Sequence, residues 1–392
     1  MRFHFRHVGY SAAFASAVAT FGCAAALGAT PTNLQELVAR EVGGLIEQHI
    51  LVGAAVGVVG MGEVHSYYLG RTKKGDGPVP GPDTLFEIGS ITKVFTGTAL
   101  ASMQLDGTAK LDDPVKAYLP EGQTVPSFSG QEITLRHLAA QNSALPRLPD
   151  NFGRDADPYA NYTEEKLYAF LAGHTLRRAP GAVYEYSNLG VGLLGHALAR
   201  RAGQSYDALI QSRICGPLGM ASTMVHTPEA DRARVAQGYS LTLELFGIKI
   251  LSEEAPWTWD AVAGAGALRS TLPDMMKFLA AAMGGDTPLK PAFALAQEPV
   301  FEFAPNSSVG LNWHISKNPD TGKTLVWHNG GTGGYHSFLG FQPETGLGVV
   351  VLANTSADQV DAAAIGILDG IGKLLAPAVN PAPSVIPAQA GI

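Results

Sequence analysis

The sequence predicts a mixed α/β (α+β) fold. An antiparallel sheet is built from N- and C-terminal segments, flanked by terminal helices, with an all-helical lobe inserted between them. Three observations predict it. Apolar or alternating runs of strand length cluster near the two ends, at 54–69 and after about residue 308. The middle of the chain, about 86–300, carries mainly helical signals. The strand runs are joined by short turns rather than by crossover helices, which argues for antiparallel pairing.

From Asn33 to Ile50, residues Leu34, Leu37, Val38, Val42, Leu45 and Ile46 recur at helical spacing, with Asn33 as the N-cap. Ala54–Val59 and Val64–Leu69 read as strands, and Gly60-Met61-Gly62-Glu63 between them reads as a hairpin turn. Helices follow over Thr92–Leu105, which stops at Gly107, then Thr134–Ala140, then Glu164–Leu171 behind an N-cap at Thr163. Leu189–Arg201 ends at Gly203, Tyr206–Ile214 comes next, and 271–283 opens on Thr271-Leu272-Pro273-Asp274. Strands return at Val309–Ile315, Thr324–Trp327, Ser337–Phe341 and Leu347–Leu352, the last two joined by the turn sequence Gln342-Pro343-Glu344-Thr345-Gly346. Ala362–Leu375 closes the fold as a helix. A cleft between sheet and lobe is the expected place for chemistry.

The chain has 392 residues, enough for two or three structural units. Hydrophobic residues make up 46% and charged residues 16%, which excludes an intrinsically disordered chain. Its 46 glycines show no G-X-Y period, which excludes collagen. A net charge of −7 argues against a nucleic-acid partner. The two cysteines form no C-x-x-C pair and no H-E-x-x-H occurs, so neither a metal site nor a cofactor is expected. His137, His196 and His226 read as helix or loop residues rather than ligands.

Residues 1–29 read as a signal peptide. Arg2, His4, Arg6 and His7 precede an uncharged run, Val8 to Ala29, that ends in small residues. An uncleaved membrane anchor over 8–29 is the alternative, and lipidation at Cys23 a weaker one. Cleavage leaves Cys215 as the one cysteine, so the 30–375 domain must hold through its core without an internal disulfide. The expected location is periplasmic or secreted, with no stable membrane insertion after cleavage. Residues 376–392 are rich in Pro and Ala, carry no charge, and read as a disordered tail.

Three stretches bear candidate chemistry. Ser90 and Lys93 stand three apart at the start of a helix, on one face. A serine hydroxyl needs a base, and a lysine serves only where desolvation or nearby charge favours its neutral amine. Tyr186 and Asn188 are two apart in an extended approach to a helix, so both can face a cleft. The same spacing in Tyr159-Ala160-Asn161 reads as a loop. His328-Asn329-Gly330-Gly331 ends a strand in a glycine-rich turn, where backbone can approach a ligand and an amide can join that of Ser90 in an oxyanion hole. It is no phosphate loop, since no Gly-Lys-Ser/Thr follows.

The order and contexts of these stretches resemble the serine β-lactamase and penicillin-binding-protein superfamily. The likeness is to the class C β-lactamase-like branch, which holds class C β-lactamases, DD-peptidases, D-aminopeptidases and related esterases. Its elements S-x-x-K, Y-x-N and K-T-G or H-x-G appear as Ser90–Lys93, Tyr186–Asn188 and His328–Gly330. Leu111-Asp112-Asp113-Pro114, Pro217-Leu218-Gly219-Met220, Ala267-Leu268-Arg269-Ser270-Thr271 and Pro343-Glu344-Thr345-Gly346 extend the likeness over roughly 34–375. The resemblance implies that Ser90 forms an acyl-enzyme with a β-lactam or a peptidoglycan-type peptide. Lys93 and Tyr186 share the proton work, and Asn188 holds Lys93 and the acyl side chain. The amides of Ser90 and Gly331 hold the oxyanion. His328 stands where many β-lactamases have lysine, which puts strong β-lactamase turnover in question but not acyl transfer. An esterase on short acyl esters and a catalytically silent peptidoglycan-binding protein are the alternatives.

Overall fold

The computed structural model describes residues 31–375 except 61, 154–156, 158 and 246–247. The expected signal peptide and C-terminal tail lie outside the described residues. An eight-stranded antiparallel sheet runs in the order Glu63–Gly70, Gly53–Gly60, Leu347–Ala353, His336–Gln342, Thr324–Gly331, His314–Lys317, Ser307–Val309 and Phe301–Ala304. Its centre joins the chain's two ends: Val56 lies opposite Val351 on one side and Tyr67 on the other. The central strands are apolar at nearly every position because both faces are covered.

One face packs on the two terminal helical segments. Leu37, Val38, Val42, Ile367 and Leu368 meet Val56, Val351 and Phe338 there. The other face packs on the inserted lobe, where Ala55, Leu339, Val350 and Leu352 meet Leu272, Met275 and Leu279. Helix Thr92–Leu105 runs through this second core with eleven of its fourteen residues buried, so its apolar character is spread round the whole helix rather than along a stripe. Helix Asn188–Ala202 is buried from Leu189 to Ala199 and ends on Gly203 at φ +65°, the left-handed conformation glycine adopts most readily.

Several elements differ from expectation. The first helix begins at Pro31, which places Asn33 inside it rather than at its cap. It passes through a π turn at Ala39–Gly43, and a second π turn, Gln211–Cys215, interrupts the segment after Tyr206–Ile210. The run Val309–Ile315 is two strands, not one. Leu311 and Trp313 are wholly buried, and Asn312 takes φ +66° while its amide donates to the Ala139 carbonyl at 2.8 Å. Tertiary packing thus satisfies an apolar run that reads as continuous strand. The Thr324 strand continues through His328 to Gly331. The inserted segment is mainly helical but not all-helical. A hairpin, Gly238–Leu245 with Ile248–Glu254, pairs in parallel with Thr355–Ser356. Its alternating Leu241, Leu243 and Ile250 are a strand signal, although they face solvent rather than the core. Among the described residues, no helix is long and apolar enough to cross a membrane.

Candidate active site

Ser90 lies in a single 3-10 turn, Gly89–Ile91, that opens helix Thr92–Leu105. The strand ending at Gly331 presses directly on this turn. A β-carbon on Gly330 would collide with the Ile88 carbonyl and lie 2.9 Å from the Ser90 nitrogen. One on Gly89, itself at φ +49°, would lie 2.8 Å from the Gly331 nitrogen. The Ser337 hydroxyl donates to the Ile88 carbonyl at 2.8 Å and ties the next strand to the same place. Absent side chains therefore set how closely Gly331 approaches Ser90.

One turn further on, Lys93 is fully buried. Its Nζ donates to the Ala265 carbonyl at 2.6 Å and sits 2.9 Å from Ser90 Oγ. Among the described residues it has no carboxylate partner within salt-bridge distance. Burial, and then Arg147, push its pKa well below the usual lysine range. Tyr186 lies against it, with Lys93 Nζ 4.9 Å and the Arg147 guanidinium 5.1 Å from the ring centroid. Burial raises the Tyr186 phenol above its ordinary value, while a hydrogen bond with Ser90 pulls it the other way.

Ser187, not Asn188, caps the helix that follows, accepting from the Gly190 amide at 2.8 Å. That frees the Asn188 side chain, whose Nδ2 donates to the Tyr159 hydroxyl at 3.1 Å and whose buried Oδ1 has no partner among the described residues. The structure places Asn188 at the cleft but gives it no hydrogen bond to Lys93 among the described residues. Tyr159, which reads as a loop residue in the sequence, belongs to the cleft wall: it is 4% exposed and stacks on Trp259 with centroids 3.8 Å apart.

His328 is buried beside Tyr186, their ring centroids 6.1 Å apart. Its Nδ1 lies 2.6 Å from the Asn329 carbonyl oxygen, so that nitrogen carries the proton. Among the described residues its Nε2 has no partner. Burial, then His314 and Lys93, drive its pKa well below the ordinary histidine value. His314, 4.9 Å away between ring centroids, is pushed down to about 4, chiefly by burial and then by Lys93, and its Nε2 sits 2.9 Å from the Tyr184 hydroxyl. Both imidazoles are neutral at neutral pH. Asn329, on the opposite face of the strand, donates to Asp361 at 2.6 Å, and Asp361 also takes His336 Nε2 at 2.9 Å.

A cleft of about 560 Å³ between lobe and sheet is lined among others by Ser90, Arg147, Tyr186, Asn188, Trp257 and Gly331. A larger cavity, about 730 Å³ between Ile46, Arg71 and Lys249, contains none of them, so size does not mark the chemistry. Among the described residues, no cluster of three or more His, Cys, Asp or Glu side chains is placed to hold a metal. Arg147, Trp257, His314 and the His336–Asp361 pair all escape a reading of the sequence, and Tyr159 reads there only as a loop residue. Arg147, Tyr159 and Trp257 sit in loops, His314 and His336 on strands and Asp361 in the first turn of helix Gln359–Leu375, and each meets Ser90's surroundings only through tertiary packing.

The chain has counterparts among known proteins. The family model described as Beta-lactamase matches residues 34–370. The D-alanyl-D-alanine-carboxypeptidase/endopeptidase AmpH of Escherichia coli (strain K12) is 30% identical over 334 residues, covering 82% of this chain and 83% of that protein. A beta-lactamase of the same organism is 29% identical over 364 residues, covering 83% and 90%. A crystal structure of a beta-lactamase/D-alanine carboxypeptidase from Yersinia pestis complexed with citrate matches with a TM-score of 0.74 at 26% identity, over 87% of this chain and 99% of that one. With a family match spanning nearly all of the described fold, the chain belongs to the beta-lactamase family of serine hydrolases.

Proposed function

We propose that this protein is an exported serine hydrolase of the class C β-lactamase type that cleaves a β-lactam or a D-amino-acid peptide amide through an acyl-enzyme on Ser90. The observation that carries the reading is Lys93: it is buried, held by Ala265 and 2.9 Å from Ser90 Oγ, and burial lowers its pKa in the direction that favours a base. The Ser90 hydroxyl gives its proton to Lys93 or to Tyr186 as Oγ bonds to the carbonyl carbon. The amides of Ser90 and Gly331 receive the oxyanion. The carbon–nitrogen bond then breaks, the departing nitrogen takes a proton back, and water releases the acid from Ser90. Asn188 faces the acyl group with its unpaired Oδ1. Residues 1–29 supply the export signal, placing the enzyme in the periplasm or outside the cell.

The test is a time course with penicillin read by intact mass. The adduct expected on the wild-type chain is absent from Ser90→Ala, and equal behaviour of the two ends the proposal. A second reading, an esterase using the same residues, is favoured by the neutral His328, which offers no fixed charge to a substrate carboxylate. Faster turnover of a p-nitrophenyl ester than of a chromogenic cephalosporin selects it.

A further inference from the structure

The cavity of about 730 Å³ borders the edge strand Glu63–Gly70, and three strands lie between that edge and strand Thr324–Gly331. It is therefore a second concave site, apart from Ser90, and of the size that takes a small molecule. Ile46, Leu51, Val79 and Leu251 line it with aliphatic surface. Val79 is 55% exposed, and so is nearly half of Leu241, which lies opposite Leu251 across the hairpin. Paired residues of an antiparallel hairpin share a face, so the apolar wall continues onto open surface.

Three cations line the same cavity, Arg71, Lys74 and Lys249, and among the described residues no carboxylate does. The chain as a whole carries 34 acids against 27 lysines and arginines, so this lining runs against its average charge. Lys73, beside the cavity, pairs with Glu253 at 3.8 Å. Among the described residues Arg71 and Lys74 have no carboxylate within salt-bridge distance, and Lys249 reaches only Glu244, at 3.9 Å. The loop that carries two of the cations is already fixed. The Arg71 guanidinium donates to the Gly77 carbonyl, the Thr72 amide to the Pro78 carbonyl and the Lys74 amide to the Tyr239 hydroxyl, each at 2.8 Å. Little ordering is left for a ligand to impose.

The two halves of the lining select one kind of occupant. A small inorganic anion would meet the cations and leave the aliphatic wall in water. A neutral aliphatic molecule would cover that wall and leave the cations without a counter-charge. We propose that the cavity binds one molecule of an aliphatic carboxylate, its chain against Ile46, Leu51, Val79 and Leu251 and its head among Arg71, Lys74 and Lys249. The site takes no part in the chemistry at Ser90 and stands whether or not that serine is acylated.

The test is calorimetric titration of the full chain with monomeric decanoate, decyl maltoside, decyltrimethylammonium and acetate. Decanoate is expected to bind with a stoichiometry of one, at least about tenfold tighter than either other decyl compound, and acetate to give no measurable binding. The double variant Lys74→Glu/Lys249→Glu should weaken decanoate at least about tenfold and leave decyl maltoside within about twofold. Val79→Asp, which places a carboxylate on the aliphatic wall, should weaken both. All three side chains lie on the surface, and circular dichroism checks that each variant is folded. Equal affinity for the three decyl compounds, acetate binding as tight as decanoate, or decanoate affinity unchanged in both variants overturns the proposal. So does binding to vesicles of anionic phospholipid with none to monomeric decanoate, which would make this face a membrane contact instead.

Discussion

Lys93 Nζ donates to the carbonyl oxygen of Ala265, 172 residues away in the chain, at 2.6 Å. That single bond occupies one hydrogen of the amine and aims its remaining valences toward Ser90. A neutral amine so held can accept the serine proton; a protonated one in the same place would lack a counter-charge. Lys93→Arg is therefore expected to lose what Lys93→Met loses, because a guanidinium stays protonated. Both variants should slow penicillin adduct formation by about 10²–10⁴, the usual worth of a positioned base. Stopped-flow or mass-resolved acylation rates check this, and an active arginine variant would remove Lys93 from the role of base.

Gly330 is the position where a single methyl group does most harm to Ser90. Gly330→Ala drives a β-carbon against the Ile88 carbonyl and the Ser90 nitrogen. The strand must retreat from the turn, at an overpacking cost of about 1–3 kcal/mol. Adduct formation should fall about 10²-fold from the misplaced geometry, while circular dichroism still reports a folded chain.

Tyr159→Phe removes the hydroxyl that accepts from Asn188. With the ring stacked on Trp259 the side chain keeps its place, so the effect isolates the hydrogen bond. Acylation should slow about fivefold to tenfold, in line with one lost bond of about 1 kcal/mol. Tyr186→Phe, beside Ser90 and Lys93, should cost at least an order of magnitude more.

Glu87 and Arg269 form a buried ion pair at 3.0 Å, with both side chains less than a tenth exposed. The pair also holds the cleft-lining loop: the Trp257 amide donates to Glu87 and its carbonyl accepts from Arg269. Arg269→Met strands a carboxylate in the core and should destabilise the fold by about 3–5 kcal/mol in denaturant titrations. Adding Glu87→Met should recover part of that loss, since no unpaired charge then remains.

Stability should fall on acidification through the histidine range. His314 and His196 are both held near pKa 4 in the folded chain, mainly by burial, against about 6.5 when unfolded. Between those values the unfolded chain binds more protons, so stability is full above about pH 6.5 and is lost as pH drops toward 4. Each imidazole accounts for on the order of 3 kcal/mol at full extent. Chemical denaturation of His314→Gln should show a shallower acid slope than the wild-type chain; an identical slope refutes the assignment.

The fold was legible wherever one segment's own pattern decided its state. Gly53–Gly60, Glu63–Gly70, Leu347–Ala353 and helix Thr92–Leu105 lie within a residue or two of their apolar runs. Patterning failed where packing from elsewhere decided. Leu311 and Trp313 are buried by the lobe, so their run breaks into a turn. Leu241, Leu243 and Ile250 form strands without burying their apolar face, and a helical frame for the whole middle segment hid them. In the cleft, Ser90, Lys93, Tyr186 and His328 stand out by short spacings. Tyr159 shares the spacing of Tyr186 but reads as a loop, and Arg147, His314 and Asp361 have no local signature, because their neighbours are set by tertiary contacts alone.

Gly53 and Asn354 are hydrogen-bonded across 301 positions of the polypeptide. Strand Gly53–Gly60, at the sheet's centre, thus waits for a partner about 300 residues further along before it is shielded from water. Contacts of such sequence separation are costly to close and slow to form. A chain of this topology gains its central layer only once both segments are present, and the rate of its maturation is set by that closure.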